Sequence, residues 1–285
     1  MPDNTIKAVK DYFKSELISF YDEAEIIAMY YVLMQHYFQL SKSQLVLSDK
    51  KRLSESDLLK IIYAVKDLKK NKPLAYILGE WEFFGLPFKV NEHTLIPRPE
   101  TEELVQLILD ENQGEINLLD IGAGTGCIPI SLKKQMKNWK VSGLDISNEA
   151  LDIAQYNAHL NDVEVTFFQY DILQNRNAHL DVKLDVIVSN PPYIPEADKD
   201  QMNTNVLNYE PHLALFVANN KPLLFYDVIS EFAINNLNKG GKLYFEIHEK
   251  YGKEVVDILV QKGFENVKLM KDINEKDRIV KAVLN

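Results

Sequence analysis

Short apolar runs alternate with longer stretches of helical periodicity from residue 116 onward, and this alternation constrains the fold more than any other feature. The runs rich in β-branched residues predict strands at 116–121, 140–144, 164–168, 184–188, 242–247, 264–270 and 278–284. The periodic stretches predict helices at 128–136, 147–160, 223–237 and 252–260. Such alternation produces a mainly parallel α/β sheet with helices on both faces, and ligands bind such a sheet at the carboxyl ends of its strands.

A glycine-rich loop follows the first predicted strand and opens the first of these helices, in the order Asp-x-Gly-x-Gly-x-Gly at 120–126. Glycines allow a tight turn and let a ligand approach the main-chain N–H groups at a helix N-terminus. Nicotinamide, flavin and S-adenosylmethionine binders share such loops, but Cys127 stands where the dinucleotide fingerprint needs its third glycine. The spacing is instead typical of S-adenosylmethionine binders, with the predicted cofactor-binding residues Asp120, Gly122, Ala123, Gly124 and Gly126.

Two further carboxylates come at the ends of predicted strands. Asp145 ends the second strand about twenty residues beyond the loop, where it can accept hydrogen bonds from both ribose hydroxyls of NAD or of S-adenosylmethionine. The predicted cofactor site also includes its neighbour Ile146. Asp171, just beyond the third strand, either accepts a hydrogen bond from an adenine amine or is an ordinary turn or N-cap aspartate.

The predicted strand at 184–188 runs into Asn-Pro-Pro-Tyr at 190–193. Two prolines cannot donate to a sheet, and each biases the preceding residue away from helix, so the chain leaves the sheet as a rigid, extended segment. The Asn190 side-chain carbonyl and the Pro191 backbone carbonyl can then converge on one planar NH2 group, with Tyr193 as a flat wall beside it. Two such acceptors orient the N–H bonds and favour positive charge on the nitrogen. The alternative is a proline-rich turn that only closes the strand.

The chain before this domain predicts two further regions. Residues 1–73 have helical periodicity only, and we expect a small helical bundle. Residues 74–97 contain short apolar and aromatic segments at 76–79, 81–84 and 88–90, which predict two or three strands of a hairpin linker. Residues 98–285 then form the α/β domain, with Pro99 at a first helical position and Arg98 as a cation just outside the helix that can meet a carboxylate.

Composition narrows the classes of protein. The net charge of −10 argues against stable nucleic-acid binding, which needs clustered Lys and Arg. The single cysteine excludes an internal disulfide, and the six histidines lack the spacing of metal ligands, so we expect no metal. Neither a signal peptide nor a membrane span is evident, so we expect a soluble, cytoplasmic protein with no membrane binding, and its short connections favour a monomer.

Five motifs occur in order: Pro-Leu-Ala-Tyr-Ile-Leu-Gly at 73–79, Ile-Pro-Arg-Pro-Glu-Thr-Glu at 96–102, the glycine loop, the Asn-Pro-Pro-Tyr segment and Tyr-Glu-Pro-x-x-Ala-Leu at 209–215. Together they resemble the peptide chain release factor N5-glutamine methyltransferases across almost the whole chain. The resemblance implies an N-terminal helical domain that helps to dock the release factor, a hairpin linker, and a Rossmann-like, seven-stranded class I methyltransferase domain. It also implies methyl transfer from S-adenosylmethionine, with S-adenosylhomocysteine as product, to the glutamine of the Gly-Gly-Gln motif in release factors.

The resemblance also implies roles for single residues. Asn190 and the Pro191 carbonyl hold the glutamine amide with Tyr193 against it, Pro192 belongs to the same substrate-binding segment, and Arg98 lies beside the reacting end. The cofactor is held by Gly122, Asp145, Asp171 and also Asn190. The chain departs from the family pattern at 216–222, where a glycine-rich segment is usual, and at His248, where glycine is common.

Three other functions stay open from the sequence. Glutamine methylation of a large-subunit ribosomal protein is chemically identical. An N6-adenine DNA methyltransferase presents an exocyclic amine to the same segment after base flipping, although the acidic charge and the lack of a basic recognition segment disfavour it. A cofactor-binding adaptor without catalysis is disfavoured by the intact Asn-Pro-Pro-Tyr segment.

Overall fold

The computed structural model describes residues 3–175 and 177–285, which divide into two compact units. The first unit comprises the described residues up to Gly79 together with Thr204–Tyr209, and the second comprises Glu80–Asn203 and Glu210–Asn285. No helix within these described ranges has both the length and the apolarity needed to cross a membrane.

The helices are α1 (Ile6–Leu17), α2 (Glu23–Phe38), α3 (Lys42–Leu47), α4 (Glu55–Leu68), α5 (Leu74–Leu78), α6 (Pro99–Glu111), α7 (Cys127–Gln135), α8 (Asn148–Leu160), α9 (Thr204–Tyr209), α10 (His212–Leu215), α11 (Leu224–Asn236) and α12 (Gly252–Gln261). The strands are β1 (Glu80–Phe83), β2 (Leu86–Lys89), β3 (Asn117–Ile121), β4 (Lys140–Asp145), β5 (Thr166–Gln169), β6 (Leu184–Ser189), β7 (Ile194–Pro195), β8 (Phe216–Val217), β9 (Leu237–Glu246), β10 (Phe264–Lys271) and β11 (Asp277–Leu284).

The first unit is a helical bundle around one apolar core. Helices α1, α2 and α4 each turn one face inward, and Phe13, Tyr30 and Leu33 lie among the fully buried side chains. Segment α9 is tied to this unit by two hydrogen bonds, from Asn71 Nδ2 to Thr204 Oγ1 at 2.8 Å and from the Tyr209 hydroxyl to the Lys70 carbonyl at 2.9 Å.

The prediction of a strand at 76–79 is wrong, because these residues belong to helix α5 and its C-terminal cap. Gly79 takes φ +74° and donates to the Ala75 carbonyl at 2.8 Å, which closes the helix with a left-handed residue. A run of four apolar residues has no clear period of its own, so the flanking proline and glycine decide between helix and strand.

The predicted hairpin is formed by β1 and β2, which pair from Glu80↔Lys89 to Phe83↔Leu86. Its two-residue turn has positive φ at both Phe84 and Gly85, as a hairpin that follows the sheet twist requires. The hairpin belongs to the second unit, where the Asn157 side chain of α8 exchanges hydrogen bonds with the Lys89 backbone at 2.7 and 3.0 Å.

The second unit contains a seven-stranded sheet in the order β10-β11-β9-β6-β3-β4-β5, in which β11 alone runs antiparallel. The predicted Rossmann-like α/β fold is confirmed, and the strands end within a few residues of their predicted positions. Strand β9 begins earlier than predicted, at Leu237 rather than at residue 242. It passes through a bulge in which Gly240 takes φ +79°. The first residues after β3, β4 and β6 therefore meet at one edge of the sheet.

Candidate active site

A cavity of about 340 Å³ opens at the carboxyl ends of β3, β4 and β6. Ten of the predicted site residues line it: Arg98, Gly122, Ala123, Gly124, Asp145, Ile146, Asp171, Asn190, Pro191 and Pro192. The remaining three predicted site residues, Asp120, Gly126 and Tyr193, are not among the lining residues.

The glycine loop is held against the end of β4. The N–H groups of Gly122 and Ala123 both donate to the Leu144 carbonyl at 2.9 Å, and the Gly124 N–H donates to Asp145 Oδ2 at 2.8 Å. Gly122, Gly124 and Gly126 all take positive φ, but only at Gly126, just before α7, would a Cβ atom meet a neighbour, at 2.8 Å from Ile130 Cδ1. Its hydrogen side chain therefore serves close helix packing rather than the cavity wall.

Asp145 is the carboxylate that the sequence predicts to accept hydrogen bonds from ribose hydroxyls. Its Oδ2 accepts from Gly124 and its Oδ1 accepts from the Ser147 N–H at 3.0 Å. Burial raises the pKa of Asp145, while these backbone donors oppose that shift. Each carboxylate oxygen can accept a second hydrogen bond, so the residue retains acceptor capacity at the cavity.

Asp171 stabilises a local turn, which is one of the two roles that the sequence predicts for it. Its Oδ1 accepts from the N–H groups of Leu173 at 2.9 Å and Gln174 at 3.3 Å. The residue also lines the cavity, and its interaction with an adenine amine stays a prediction.

Asp120 lies at the end of β3, directly behind the glycine loop, and is only 1% exposed. Neither of its carboxylate oxygens has a hydrogen-bond partner among the described residues. Burial, and secondarily the charge of Asp145, raise the pKa of Asp120 well above its ordinary value. An unpartnered carboxylate beside a cavity suits a ligand that brings positive charge, and S-adenosylmethionine carries both a sulfonium and an ammonium group.

The Asn190 side chain connects the cavity to a buried polar cluster of Thr101 and Glu246. Its Nδ2 donates to Thr101 Oγ1 at 3.4 Å, and the Thr101 hydroxyl donates to Glu246 Oε2 at 2.6 Å. Thr101 and Glu246 are 3% and 2% exposed, so this cluster is shielded from water. Sequence reasoning missed both residues, although a glutamate inside the apolar strand β9 is itself a signal, because carboxylates are rarely buried without a partner.

Tyr193 faces this cluster and is not among the residues that line the cavity. Its hydroxyl donates to Glu246 Oε1 at 3.5 Å, and its ring packs edge-on against His248 with 5.7 Å between the ring centroids. Burial raises the pKa of Tyr193, so the phenol stays protonated and can only be a donor towards the glutamate. Its predicted role as a wall for the substrate amide stays a prediction.

Arg98 meets a carboxylate, as its position outside α6 allowed. Its guanidinium donates to Glu210 Oε1 at 2.5 Å, and the Ile96 N–H donates to Glu210 Oε2 at 3.1 Å. Glu210 is only 3% exposed, so the pair holds two sequence motifs together at the cavity rim.

Sequence reasoning also missed the apolar part of the cavity wall. Tyr170 and Ile172 follow β5, Leu213 lies in α10 and Phe225 lies in α11, and the four residues share no motif. Their arrangement depends on which loops the sheet order brings together, so only the tertiary structure reveals it.

Two family models match the chain: the PrmC N-terminal domain over residues 11–79 and the Methyltransferase small domain over residues 100–210. The release factor glutamine methyltransferase of Flavobacterium psychrophilum is 48% identical over 97% of this chain and 98% of that protein. The one of Bacteroides thetaiotaomicron is 47% identical over 75% of this chain and 77% of that protein. A crystal structure of a methyltransferase from Pyrococcus furiosus has a TM-score of 0.51 at 19% identity, over 81% of this chain and 98% of that one, which supports the fold alone.

Proposed function

The chain belongs to the release factor glutamine methyltransferase family, and on that premise we propose that its substrate is the glutamine of the Gly-Gly-Gln motif in peptide chain release factors. It is an S-adenosylmethionine-dependent protein-glutamine N5-methyltransferase. The observation that carries the proposed chemistry is the Asn190 amide, which lines the cavity while its NH2 group is engaged by Thr101.

A glutamine amide nitrogen is a weak nucleophile because its lone pair is delocalised into the carbonyl. The Asn190 side-chain oxygen and the Pro191 backbone oxygen are acceptors on a segment that two prolines make rigid. Two acceptors that hold both N–H bonds fix the plane of the amide and favour the positive charge that grows on its nitrogen. S-adenosylmethionine supplies the electrophilic methyl group when bound.

The amide proton needs no base before transfer, because it becomes acidic once the nitrogen carries the methyl group. The two carbonyl oxygens therefore suffice at the reacting nitrogen, and the proton leaves to water afterwards. This division of labour agrees with a segment that offers acceptors rather than a histidine or lysine.

Residues on the other wall suit the cofactor. In this proposal Asp145 accepts from the ribose hydroxyls and Asp171 from the adenine amine, and the support is that both line the cavity together with Ile146. The glycine loop brings Gly122, Ala123 and Gly124 to the cavity. Asp120 is suited to compensate the positive charge of the ligand from behind this loop.

The wider setting is part of the same proposal. The helices of residues 1–73 serve to dock the release factor, since this region has nearly balanced charge, whereas acidic residues are in excess in the remainder. We expect a cytoplasmic monomer without stable nucleic-acid or membrane binding. Size-exclusion chromatography with light scattering, with and without the release factor, tests the oligomeric state.

The decisive experiment uses methyl-labelled S-adenosylmethionine and mass spectrometry of three candidate substrates: a release factor, a large-subunit ribosomal protein and double-stranded DNA. We expect label on the Gly-Gly-Gln glutamine of the release factor. Label only on the ribosomal protein or only on adenine would refute the substrate and retain the chemistry. Label on none of the three would favour the adaptor function.

Asn190→Ala tests the role of the side chain. Loss of one preorganised polar group typically lowers kcat by about 10²–10³-fold, and we expect at least this loss with cofactor affinity changed less than about threefold. Asn138→Ala is the matched control, because Asn138 is exposed in the turn before β4 and its side chain donates to the Gly114 carbonyl, away from the cavity. Normal turnover in the Asn190 variant would contradict the assigned role.

A further inference from the structure

Two buried side chains from distant parts of the sequence meet behind Asn190. Thr101 lies in the first turn of α6, and Glu246 is the last residue of β9. They are separated by 145 positions, yet the Thr101 hydroxyl lies 2.6 Å from Glu246 Oε2. Thr101 lines the cavity and Glu246 does not, so the glutamate reaches the site only through its neighbours.

The chemistry of these groups fixes the direction of each hydrogen bond. An ionised carboxylate can only accept, and a threonine hydroxyl has one proton to donate. Because that proton goes to Glu246, Thr101 Oγ1 can only accept from Asn190. The amide must therefore turn its NH2 group to Thr101, which leaves Oδ1 as the atom available to a substrate.

We propose that Thr101 and Glu246 are positioning residues that dictate which end of the Asn190 amide faces the substrate. The inference rests on the proposed function in one respect, since an exposed Oδ1 is useful only if the substrate brings N–H groups. The oxygen and nitrogen of an asparagine side chain have nearly the same shape, so packing alone cannot distinguish the two orientations. A directional chain of hydrogen bonds can.

Other members of the cluster favour the ionised form of the glutamate, which can only accept. The Tyr193 hydroxyl donates to the second oxygen, Oε1, at 3.5 Å. Arg278 is held by the buried Asp272, with 3.1 Å between Nε and Oδ2, and its charge favours the ionised form of Glu246. Burial acts in the opposite direction and raises the pKa of Glu246, so its charge depends on these partners.

A reversed amide would present NH2 to the substrate NH2, so two donors would face each other and one acceptor would be lost. Thr101→Val has nearly the same shape and removes the hydroxyl that sets the direction. We expect it to lower kcat by about 10- to 100-fold, with the cofactor dissociation constant and the KM for the release factor each changed less than about threefold. Thr101→Ser restores the hydroxyl and should return kcat to within about threefold of the wild type.

A double-mutant cycle separates positioning from general structural damage. If Thr101 acts through Asn190, Thr101→Val lowers kcat by less than about twofold in the Asn190→Ala background. If the effect of Thr101→Val multiplies with that of Asn190→Ala, positioning is refuted. Tyr244→Phe is the matched control, because Tyr244 precedes Glu246 by two residues on the same face of β9. Its hydroxyl donates to Glu111 and accepts from Asn112, so it takes no part in the Thr101–Glu246 contact. It should leave kcat unchanged.

One measurement requires no substrate and therefore tests the inference apart from the proposed function. In deuterated, ¹⁵N-labelled protein the side-chain NH2 signals of Asn190 are identified by their absence in Asn190→Ala. We expect Thr101→Val to shift these signals and accelerate their hydrogen exchange by about tenfold or more, whereas Thr101→Ser and Tyr244→Phe leave them close to wild type. Unchanged signals in Thr101→Val would overturn the inference. Changed signals in a protein that labels no release factor would retain it and overturn the proposed function.

Discussion

Asp120 provides the sharpest test of how this site is built, because its carboxylate is buried without a partner among the described residues. We predict that Asp120→Asn stabilises the cofactor-free protein in the alkaline range, where the wild-type carboxylate is ionised. An isolated buried ion costs several kcal/mol after relaxation, whereas an unsatisfied neutral amide costs about 1–3 kcal/mol. The substitution should therefore gain about 1–3 kcal/mol, and the melting temperature should rise by about 2–4 °C for each kcal/mol.

The gain has a defined pH dependence. The pKa of Asp120 is raised in the folded protein, so the folded state binds its proton more tightly than the unfolded chain does. The wild type consequently loses stability as pH rises from the ordinary aspartate pKa, about 3.9, through the raised value, and this loss persists at higher pH. Asparagine does not titrate, so the advantage of Asp120→Asn should be full in the alkaline range and should shrink as pH falls.

The assay is thermal unfolding of both proteins without cofactor, measured by calorimetry from pH 5 to pH 8.5. Asp185→Asn is the control of opposite sign. Asp185 accepts from the Asn117 N–H and from Asn238 Nδ2, each at 2.8 Å, so loss of its carboxylate should destabilise. A melting temperature of Asp120→Asn equal to or below the wild type over this whole pH range, or a gain that does not change with pH, would refute the reasoning.

The same variant should bind the cofactor more weakly, because the charge that suits a cationic ligand is gone. Ligand stabilises the folded state by RT ln(1 + [L]/Kd), so S-adenosylmethionine should raise the melting temperature of Asp120→Asn less than that of the wild type. An equal ligand-induced shift would remove Asp120 from the proposed cofactor site.

Two further predictions concern steric fit and acidity. Gly143→Ala places a Cβ atom 2.8 Å from Phe167 Cε1 and 3.1 Å from the Ala123 Cβ. We expect the free energy of unfolding to fall by about 1–3 kcal/mol and the cofactor to bind more weakly, both measured by calorimetry. An unchanged dissociation constant would show that the glycine loop does not move. The kcat of the wild type should fall as the medium is acidified through the raised pKa of Glu246, because a protonated glutamate no longer enforces the direction of its hydrogen bonds. Glu246→Gln should have a lower kcat without this acidic limb, and a limb of the same midpoint in the variant would assign it to another group. The titratable groups that face Glu246 are Glu100, Cys127, Tyr193, Tyr226 and Arg278.

Local chemistry made much of the fold predictable from the sequence. The Ser54 hydroxyl caps α4 by accepting from the Asp57 N–H at 3.1 Å, and Pro99 occupies the first position of α6. The alternation of strands and helices predicts a parallel sheet because parallel neighbours need a long crossover connection, which is usually a helix. The motifs after β3, β4 and β6 converge for the same reason, since parallel strands end at one edge.

Other features depended on contacts between residues far apart in the sequence. Arg98 and Glu210 pair across 112 positions, and Thr101 and Glu246 meet across 145. Helix α9 joins the first unit although its neighbours in the chain belong to the second. Residue type and spacing do not encode such pairings, because they depend on how helices and loops pack once the sheet has formed.

The sequence by itself determined the α/β class, the edge of the sheet that carries the site and the acceptor groups of the Asn-Pro-Pro-Tyr segment. Each of these follows from backbone geometry or from side-chain chemistry within a few residues. Only the tertiary structure decided that Asp120 has no partner among the described residues and that Tyr193 turns to Glu246. It also decided that the NH2 group of Asn190 is bound by Thr101, because the direction of a buried hydrogen bond depends on every group in the chain of donors and acceptors to which it belongs.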